Sequence, residues 1–257
     1  MVRSGSTLQY NVARCLAERT GTGQGRGFLS QGQDQPSEVD EKTLTEWVRD
    51  GSWNVIKMRV PHGSLGDLLK SKAVRVCYIY RDLRDVAASV KRALQRRTSS
   101  LWDELDRAVA SYEHLSTLRA DYPEHFLWQR SEAVQADLFG AVRETADLLT
   151  VRVDEALVRA VEEVCSVDNA AALCATYRDQ IEAGVKGLRD RDPRRAAKLL
   201  QELRMNRLYD PDWLLLPDHV SSARGATGSW VGGLQMAELA TVMDRYGDWM
   251  NRNGYVA

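Results

Sequence analysis

Apolar residues along the chain follow two periods, and each period predicts its own kind of element. Helical spacing near the amino end predicts an amphipathic helix from Thr7 to about Arg19, because residues three and four apart share one helix face. The run AVRVCYIY is almost continuously apolar and predicts a strand, since a strand buried on both faces shows no polar alternation. The run WNVIKMRV predicts another strand, which Pro61 stops. The segment HFLWQR predicts a further strand. Strands that alternate with helices favour an α/β fold, with a parallel sheet flanked by helices.

The same periodicity predicts that the carboxyl-terminal half consists mainly of helices. After short helices at 41–50 and within SLGDLLKSK, the predicted helices cover 83–97, 102–118, 134–149, 154–165, 169–185, 193–205 and 234–251. Glycine, serine and glutamine in TGTGQGRGFLSQGQDQPSE predict a loop, and 209–233 is predicted to be irregular. Because neither an internal repeat nor a domain boundary is visible, we predict a single domain over 1–257.

Composition limits the classes of partner. The chain has 257 residues, a formal net charge of −1 and 44% hydrophobic residues, which is ordinary for a globular protein in water. Without an excess of either charge, neither nucleic acid nor an anionic membrane is a predicted partner. Since neither a signal peptide nor an apolar run of membrane-spanning length is visible, we expect a cytoplasmic location.

The cysteines of the sequence form no metal-binding pattern. They are Cys15, Cys77, Cys165 and Cys174. Neither a CxxC motif nor a Cys/His cluster with zinc spacing occurs, so no metal site is predicted. Cys15 and Cys77 fall in apolar stretches and are predicted to be core thiols.

A short segment of small and polar residues, Arg3-Ser4-Gly5-Ser6-Thr7-Leu8, leads directly into the first predicted helix. Its backbone N–H groups and the positive end of the helix can face one space, where hydroxyls and the Arg3 guanidinium add donors and charge. This favours a cradle for an anion such as phosphate; the alternative is an N-cap on an ordinary helix. The Walker A pattern G-x-x-x-x-G-K-[ST] does not occur in the sequence, which disfavours an ordinary ATPase or kinase.

Two further segments place polar groups next to a predicted strand end and in a loop. In YIYRDLRDVAASVKR, Arg81 ends the buried strand and Ser89 lies in the early turns of the next helix. Ligands of open α/β sheets bind at the carboxyl ends of parallel strands, so both residues can hold a second anionic group; a purely structural turn is the alternative. In HVSSARGATGSW, Arg224 and Gly225 belong to a loop whose glycines permit close backbone approach. By itself, this last segment is typical of an ordinary loop.

Taken together, the three segments resemble those of the sulfotransferases that use 3′-phosphoadenosine 5′-phosphosulfate (PAPS). The first is similar to the family's K/R-S-G-[ST]-T loop, RDLRDVAAS to its R-D-P-R-D-x-x-x-S segment, and ARGATGSW to its R-K-G-x-x-G-x-W segment. The match departs at Leu83, where the family has Pro, and at Ala223 and Arg224, where it has Arg and Lys. The resemblance covers essentially the whole chain and implies a P-loop-like sulfotransferase fold.

The resemblance also implies roles for residues at the matching positions. Those implied to bind the nucleotide are Arg3, Ser4, Gly5, Ser6, Thr7 and Leu8 at the 5′-phosphosulfate, and Arg81, Ser89, Arg224 and Gly225 at the 3′-phosphate. Arg3, in place of the usual Lys, and Lys57 would stabilise the charge on the departing phosphate oxygen. The implied reaction transfers the sulfuryl group from PAPS and leaves adenosine 3′,5′-bisphosphate (PAP), with no metal required.

Two departures from the family pattern leave parts of this picture open. The family's catalytic base is a His, but Arg59 stands at that position, and Arg stays protonated in proteins. His62 is the candidate base and Glu46 an alternative; with an amine acceptor the base is dispensable. An apolar strand normally precedes the phosphate loop, whereas only Met1 and Val2 precede it here. We therefore expect the first strand to be missing or truncated, or the sheet to be rearranged.

These features predict a PAPS-dependent sulfotransferase that acts on a hydroxyl or amine of a small-molecule acceptor, as a monomer or a homodimer. Two alternatives stay open. One is a catalytically degenerate relative that binds nucleotide or a protein partner, and the other is a P-loop nucleotide kinase. The sequence does not indicate which acceptor is used.

Overall fold

The chain folds into two pairs of parallel strands covered by helices, as a computed structural model shows. The structure describes residues 1–29, 41–58, 61, 63–94, 100–204, 208–210, 212–217, 219–220 and 224–255. Its strands are β1 (Gly23–Leu29), β2 (Trp53–Met58), β3 (Val76–Tyr80) and β4 (Phe126–Arg130). β1 pairs with β2, and β3 pairs with β4, each in parallel. The predicted α/β class, with parallel strands flanked by helices, is confirmed.

The helices begin and end close to the positions that the periodicity predicts. Over the described residues they are α1 (Ser6–Arg19), α2 (Glu41–Arg49), α3 (Leu65–Lys70), α4 (Leu83–Leu94), α5 (Leu101–Asp121), α6 (Ser131–Ala136), α7 (Leu138–Leu148), α8 (Glu155–Cys165), α9 (Val167–Arg189), α10 (Pro193–Arg204) and α11 (Met236–Arg252). The helix predicted over 134–149 is instead divided between α6 and α7. Asp137 causes this division by capping α7, because its carboxylate accepts a hydrogen bond from the Gly140 amide at 2.7 Å.

One predicted loop is wrong, because Gly23–Leu29 forms strand β1. Glycine is depleted in strands, so the segment has no recognisable strand pattern. Its glycines allow close approach instead: a Cβ atom on Gly23 would collide with the carbonyl oxygen of Trp53. A bulge precedes Gly27, whose amide donates to the Tyr10 hydroxyl at 3.1 Å. Helix α1 thus supplies the hydrogen bond that the irregular part of β1 would otherwise lack.

Two apolar clusters hold the helices together. The first joins α1 to α7 and α8 and includes the fully buried Leu16, Val142 and Val161. The second joins α4 and α5 to α11 and includes Leu83 and Leu105. Each such side chain contributes about 1.5–3 kcal/mol on leaving water. These clusters hold the amino ends of α1 and α4, the two helix starts that the sequence analysis singled out.

A cavity of about 740 Å³ lies between the two strand pairs. It is lined by every residue of β2 and by most of β3, together with Ser6 and Tyr10 of α1. Side chains alternate between the two faces of a strand, so a cavity on one face would touch only every second residue. Because this cavity touches every residue of β2, it lies along the edge of that strand. Among the described residues no strand occupies the space. The expectation that a first strand is missing or truncated stays a prediction.

We predict that Gly23→Ala lowers the free energy of unfolding by about 1–3 kcal/mol, because overpacking against a backbone oxygen forces the strand pair apart. Urea unfolding followed by circular dichroism measures the change. Gly247→Ala in α11 is the matched control, since nothing lies within 4 Å of a Cβ atom built there. That control should gain about 0.5–1 kcal/mol from helix propensity. Equal effects of the two substitutions would contradict this account of β1.

Candidate functional site

The segment Arg3–Leu8 lies beside the carboxyl end of β3. The Ser4 side chain is fully buried, and its Oγ atom lies 2.9 Å from the carbonyl oxygen of Ile79 and 2.6 Å from that of Met1. Gly5 has a φ angle of 101°, which glycine adopts readily. Helix α1 begins at the next residue, and no side chain caps it. Its first N–H groups, which have no partner within the helix, are therefore available to an anion.

Lys57 connects β2 to this segment. Its Nζ atom donates a hydrogen bond to the Thr7 hydroxyl and lies 5.8 Å from the centre of the Phe28 ring. Thr7 is itself buried, in the first turn of α1. A cation is therefore held beside the amino end of α1, where the helix dipole is also positive. This arrangement is unfavourable in isolation and is suited to a bound anion.

Arg81 lies directly after β3, in the short connection to α4, and is buried. Its Nη2 atom donates to the carbonyl oxygens of Gly225 at 2.7 Å and Ala226 at 2.8 Å, and it lies 3.4 Å from a carboxylate oxygen of Asp85. Its Nε–H is buried and has no hydrogen-bond partner among the described residues. A buried, unsatisfied donor costs free energy, so this atom is suited to a ligand that accepts a hydrogen bond.

Asp85 fastens the glycine-rich loop to the start of α4. Its side chain is completely buried. One carboxylate oxygen accepts from the Gly228 amide at 2.9 Å; the other accepts from the Ser229 hydroxyl at 2.9 Å and the Trp230 amide at 3.0 Å. The ring of Trp230 also stacks under the Arg84 guanidinium, 4.7 Å from its centre. The second and third predicted segments are therefore in direct contact.

Residues at the start of α6 connect the first segment to the third. A Cβ atom on Gly5 would lie 3.8 Å from the Ser131 hydroxyl, which accepts a hydrogen bond from Gln135 at 3.0 Å. The Gln135 amide would lie 3.6 Å from a Cβ atom on Gly225. All three predicted segments thus meet at one edge, beyond the carboxyl ends of β3 and β4. Ser131 and Gln135 were not predicted as site residues, because neither belongs to a recognisable motif.

The segment that includes His219 also contacts α1. The Trp213 carbonyl accepts from the Asn11 side chain of α1 at 2.8 Å. Nδ1 of His219 accepts a hydrogen bond from the Leu216 amide at 3.4 Å.

The pKa of His219 is lowered to about 3, first by burial and then by the positive charges of Lys57 and Arg3. His219 is therefore neutral, with burial as the main cause and the charges of Lys57 and Arg3 as the second.

The other predicted site residues are not all brought to this edge. Arg224 pairs with Asp168 of α9 at 2.8 Å and is half exposed. Ser89 is partly buried in α4, and the Leu8 side chain packs in the core. Glu46 is exposed on α2, where Lys42 lies 4.0 Å away. The predicted base His62, and Arg59 at the usual position of the base, lie outside the described residues.

The described residues offer neither a metal-binding cluster nor a membrane-spanning helix. No group of three or more His, Cys, Asp or Glu side chains there is arranged to hold a metal ion. Within the same residues, none of the helices is both long and apolar enough to span a membrane.

We predict that Asp85→Ala lowers the free energy of unfolding by about 3–5 kcal/mol, because it leaves the buried Arg81 charge uncompensated. Thermal or urea unfolding measures this loss. The control is Glu155→Ala, which removes an exposed partner of Arg159, 2.7 Å away, and should cost less than about 1 kcal/mol. A loss at Asp85 as small as that of the control would contradict the role assigned to this carboxylate.

We also predict a pH effect from His219. The folded-state pKa lies below the value of 6.5 for an unperturbed His, so the unfolded chain binds a proton that the folded chain does not. The contribution of neutral His219 to the free energy of unfolding is fully present above pH 6.5 and is lost as the pH drops from 6.5 towards 3. His219→Gln should remove about 1–2 kcal/mol of this loss between pH 6.5 and 4.5, as measured by urea unfolding at each pH. The exposed His114 provides the control His114→Gln, which should leave the slope unchanged; identical slopes for wild type and His219→Gln would refute the burial argument.

Comparison with known proteins shows a similarity in structure. No family model matches the chain, and no curated protein sequence matches it. Among solved structures, it is similar to retinol dehydratase in complex with androsterone and the inactive cofactor PAP, with a TM-score of 0.55 and 15% sequence identity. The match covers 97% of this chain and 78% of retinol dehydratase. At this identity the likeness concerns the fold, and the chain has the α/β sulfotransferase fold that its three segments predict.

Proposed function

We propose that the protein is a PAPS-dependent sulfotransferase, which transfers the sulfuryl group to a hydroxyl or amine of a small-molecule acceptor. The observation that carries this proposal is the convergence of two anion-binding elements at one edge of the fold. These are the uncapped start of α1 and the buried Arg81 with its unsatisfied Nε–H. A nucleotide with phosphate groups at both its 5′ and 3′ positions has two anionic ends for these two elements.

The residues at this edge fit such a nucleotide. Within the part of the chain that the structure describes, the Nε–H of Arg81 lacks a partner, and a phosphate oxygen is a strong acceptor for it. The start of α1 presents N–H groups next to the cation of Lys57, and the charges of Lys57 and Arg3 contribute, after burial, to the lowered pKa of His219. The similarity to retinol dehydratase, whose structure contains PAP, supports the same assignment.

The mechanism that we propose assigns positioning and charge stabilisation to the residues of this chain. PAPS, when bound, supplies the sulfuryl group. The segment Arg3–Leu8 holds the 5′-phosphosulfate, while Arg81 and Ser89 hold the 3′-phosphate, with Arg224 and Gly225 in the loop that covers it. Arg3 and Lys57 stabilise the negative charge that develops on the departing phosphate oxygen, which is the largest contribution such a site makes.

We assign His62 as the general base that removes the proton of the acceptor. His219 is unsuited to that task, because its conjugate acid has a pKa of only about 3 and a catalytic base is most effective when its pKa lies near the working pH. Neutral His219 instead has Nδ1 occupied by the Leu216 amide, which leaves its proton on Nε2 as a donor. We place it among the groups that bind the anion.

The class of acceptor is the least constrained part of the proposal. Retinol dehydratase was solved with androsterone, which supports a small molecule. The cytoplasmic location, the oligomeric state and the exclusion of nucleic acid and membrane partners stay predictions. A catalytically degenerate nucleotide-binding protein remains the alternative, because Arg59 replaces the usual base.

We predict that PAP stabilises the protein and that ATP with magnesium does not. At a PAP concentration about 100 times its Kd, the stabilisation should reach about 2.7 kcal/mol, or roughly 5–10 °C in Tm. Arg81→Ala should abolish this shift and Ser89→Ala should reduce it. Arg245→Ala on α11, which removes an exposed ion pair with Asp106, should keep it.

Differential scanning fluorimetry measures all four proteins with and without ligand. A preference for magnesium-ATP would favour a kinase and overturn the proposal. An unchanged shift in Arg81→Ala would remove Arg81 from the 3′-phosphate site; if that variant does not fold, Ser89→Ala decides. PAP binding without sulfuryl transfer from PAPS to a panel of phenols, alcohols and amines would favour the degenerate alternative.

A further inference from the structure

The carboxylate of Glu132 bonds to the backbone directly after Arg81. Glu132 lies in the first turn of α6, which follows β4 without a break. One of its oxygens accepts a hydrogen bond from the Asp82 amide at 3.1 Å. Because β4 is the strand partner of β3, this bond joins the two chain segments that leave the carboxyl ends of neighbouring strands. The proposed reaction assigns no role to Glu132.

The hydroxyl of Tyr255 holds the other oxygen of this carboxylate. It donates to Glu132 at 3.1 Å, and Tyr255 is only 5% exposed. The preceding Gly254 has a φ angle of 73°, which glycine adopts readily. The chain therefore turns back after α11, and the Tyr255 amide donates to the Met250 carbonyl at 2.9 Å. The end of the described chain is thereby fixed at the Glu132 carboxylate.

Two neighbours fix the ring of Tyr255. The Arg130 guanidinium lies 4.4 Å from the centre of the ring, and the Trp249 ring is stacked on it with the two centres 6.2 Å apart. Burial, and next the negative charge of Glu132, raise the pKa of the Tyr255 hydroxyl, so it stays protonated and keeps donating. A hydrogen bond to a charged acceptor is stronger than one between neutral groups. The carboxylate is therefore held in the position from which it reaches Asp82.

Both the amide and the side chain of Asp82 are fixed in this way. Its carboxylate accepts from the Arg84 amide at 2.8 Å and from the Arg84 side chain at 2.7 Å, while its own amide is held by Glu132. Arg81, the residue before it, has its Nη2 atom held by the carboxyl-terminal loop, but its Nε–H has no partner among the described residues. The direction of that N–H group depends on how firmly the adjacent backbone is held, because a binding group must lie within about 0.5 Å of its productive position.

We propose that Glu132 and Tyr255 are positioning residues of the 3′-phosphate site, which hold the backbone after Arg81 so that its Nε–H faces the phosphate. The inference rests on the proposed function, because it assumes that Arg81 binds the 3′-phosphate. It adds that the start of α6 and the carboxyl-terminal end of the chain take part in recognising that group without touching it.

The test compares PAP with adenosine 5′-monophosphate (AMP), because the two nucleotides differ only by the 3′-phosphate. The ratio of their Kd values, AMP over PAP, therefore measures what the 3′-phosphate contributes to binding. Isothermal titration calorimetry on the full chain gives the Kd of PAP, and competition against PAP gives that of AMP.

Glu132→Ala and Glu132→Gln are the informative pair. Both remove the negative charge, but only Gln keeps an oxygen that can accept from the Asp82 amide. We expect the ratio in Glu132→Ala to be about 3- to 10-fold lower than in Glu132→Gln, which corresponds to the loss of one hydrogen bond. The Kd of AMP should be the same in both variants.

Tyr255→Phe keeps the ring and removes the hydroxyl. It should lower the ratio by about 3-fold relative to wild type. The matched control is Tyr246→Phe, at another buried tyrosine near the carboxyl end, whose hydroxyl donates to Asp106 at 2.7 Å. That control should leave the ratio unchanged.

Equal ratios in the two Glu132 variants would overturn the proposal, even where both affinities fall, because a loss shared by AMP and PAP indicates general damage to the fold. If Glu132→Ala does not fold, Tyr255→Phe decides, since a ratio equal to that of Tyr246→Phe would overturn the proposal as well. A wild-type protein that binds PAP no more tightly than AMP would instead contradict the proposed function itself. The two failures are therefore distinguishable.

Discussion

The buried ion pair between Arg81 and Asp85 is the interaction on which the site depends. Both side chains lie almost entirely out of water, where an unpaired charge would be very costly. Each also hydrogen bonds to groups more than 140 positions further along the chain, in the loop around Gly225 and Trp230. One pair of charges thus orients the first turn of α4 and fastens the carboxyl-terminal loop over the strand ends.

The elements of the fold were predictable wherever burial leaves a pattern. β3 lies in an almost continuous apolar run and α4 shows a clear helical stripe, so their positions follow from the sequence, while β2 was recognised from a mixed run that Pro61 stops. β1 was not predictable, because its pairing with β2 depends on the absence of side chains at Gly23 and its neighbours. Where two backbones approach closely, glycine takes the place of the residue types by which strands are recognised in a sequence. The break between α6 and α7 was missed for a different reason, since the cap supplied by Asp137 lies within an otherwise continuous helical pattern.

The candidate site was partly predictable, for a reason rooted in topology. The carboxyl ends of parallel strands lie at the same edge, so a loop before α1 and an Arg after β3 were expected to meet. The sequence could not indicate that Ser131 and Gln135 connect them, because ordinary polar residues acquire that role only through the position of β4. The same holds for His219, whose surroundings come from three separate segments. Contacts of this kind depend on the completed fold and leave no local pattern.

The space between the strand pairs has a consequence for the backbone that borders it. Along any strand, successive peptide groups point alternately to one side and the other, so β2 and β3 each direct about half of theirs away from their partners. The Ile79 carbonyl meets this demand through Met1 and Ser4. The other outward-facing groups of β2 and β3 have no strand partner among the described residues. Their amide protons should exchange with solvent sooner than those of the helices around the cavity.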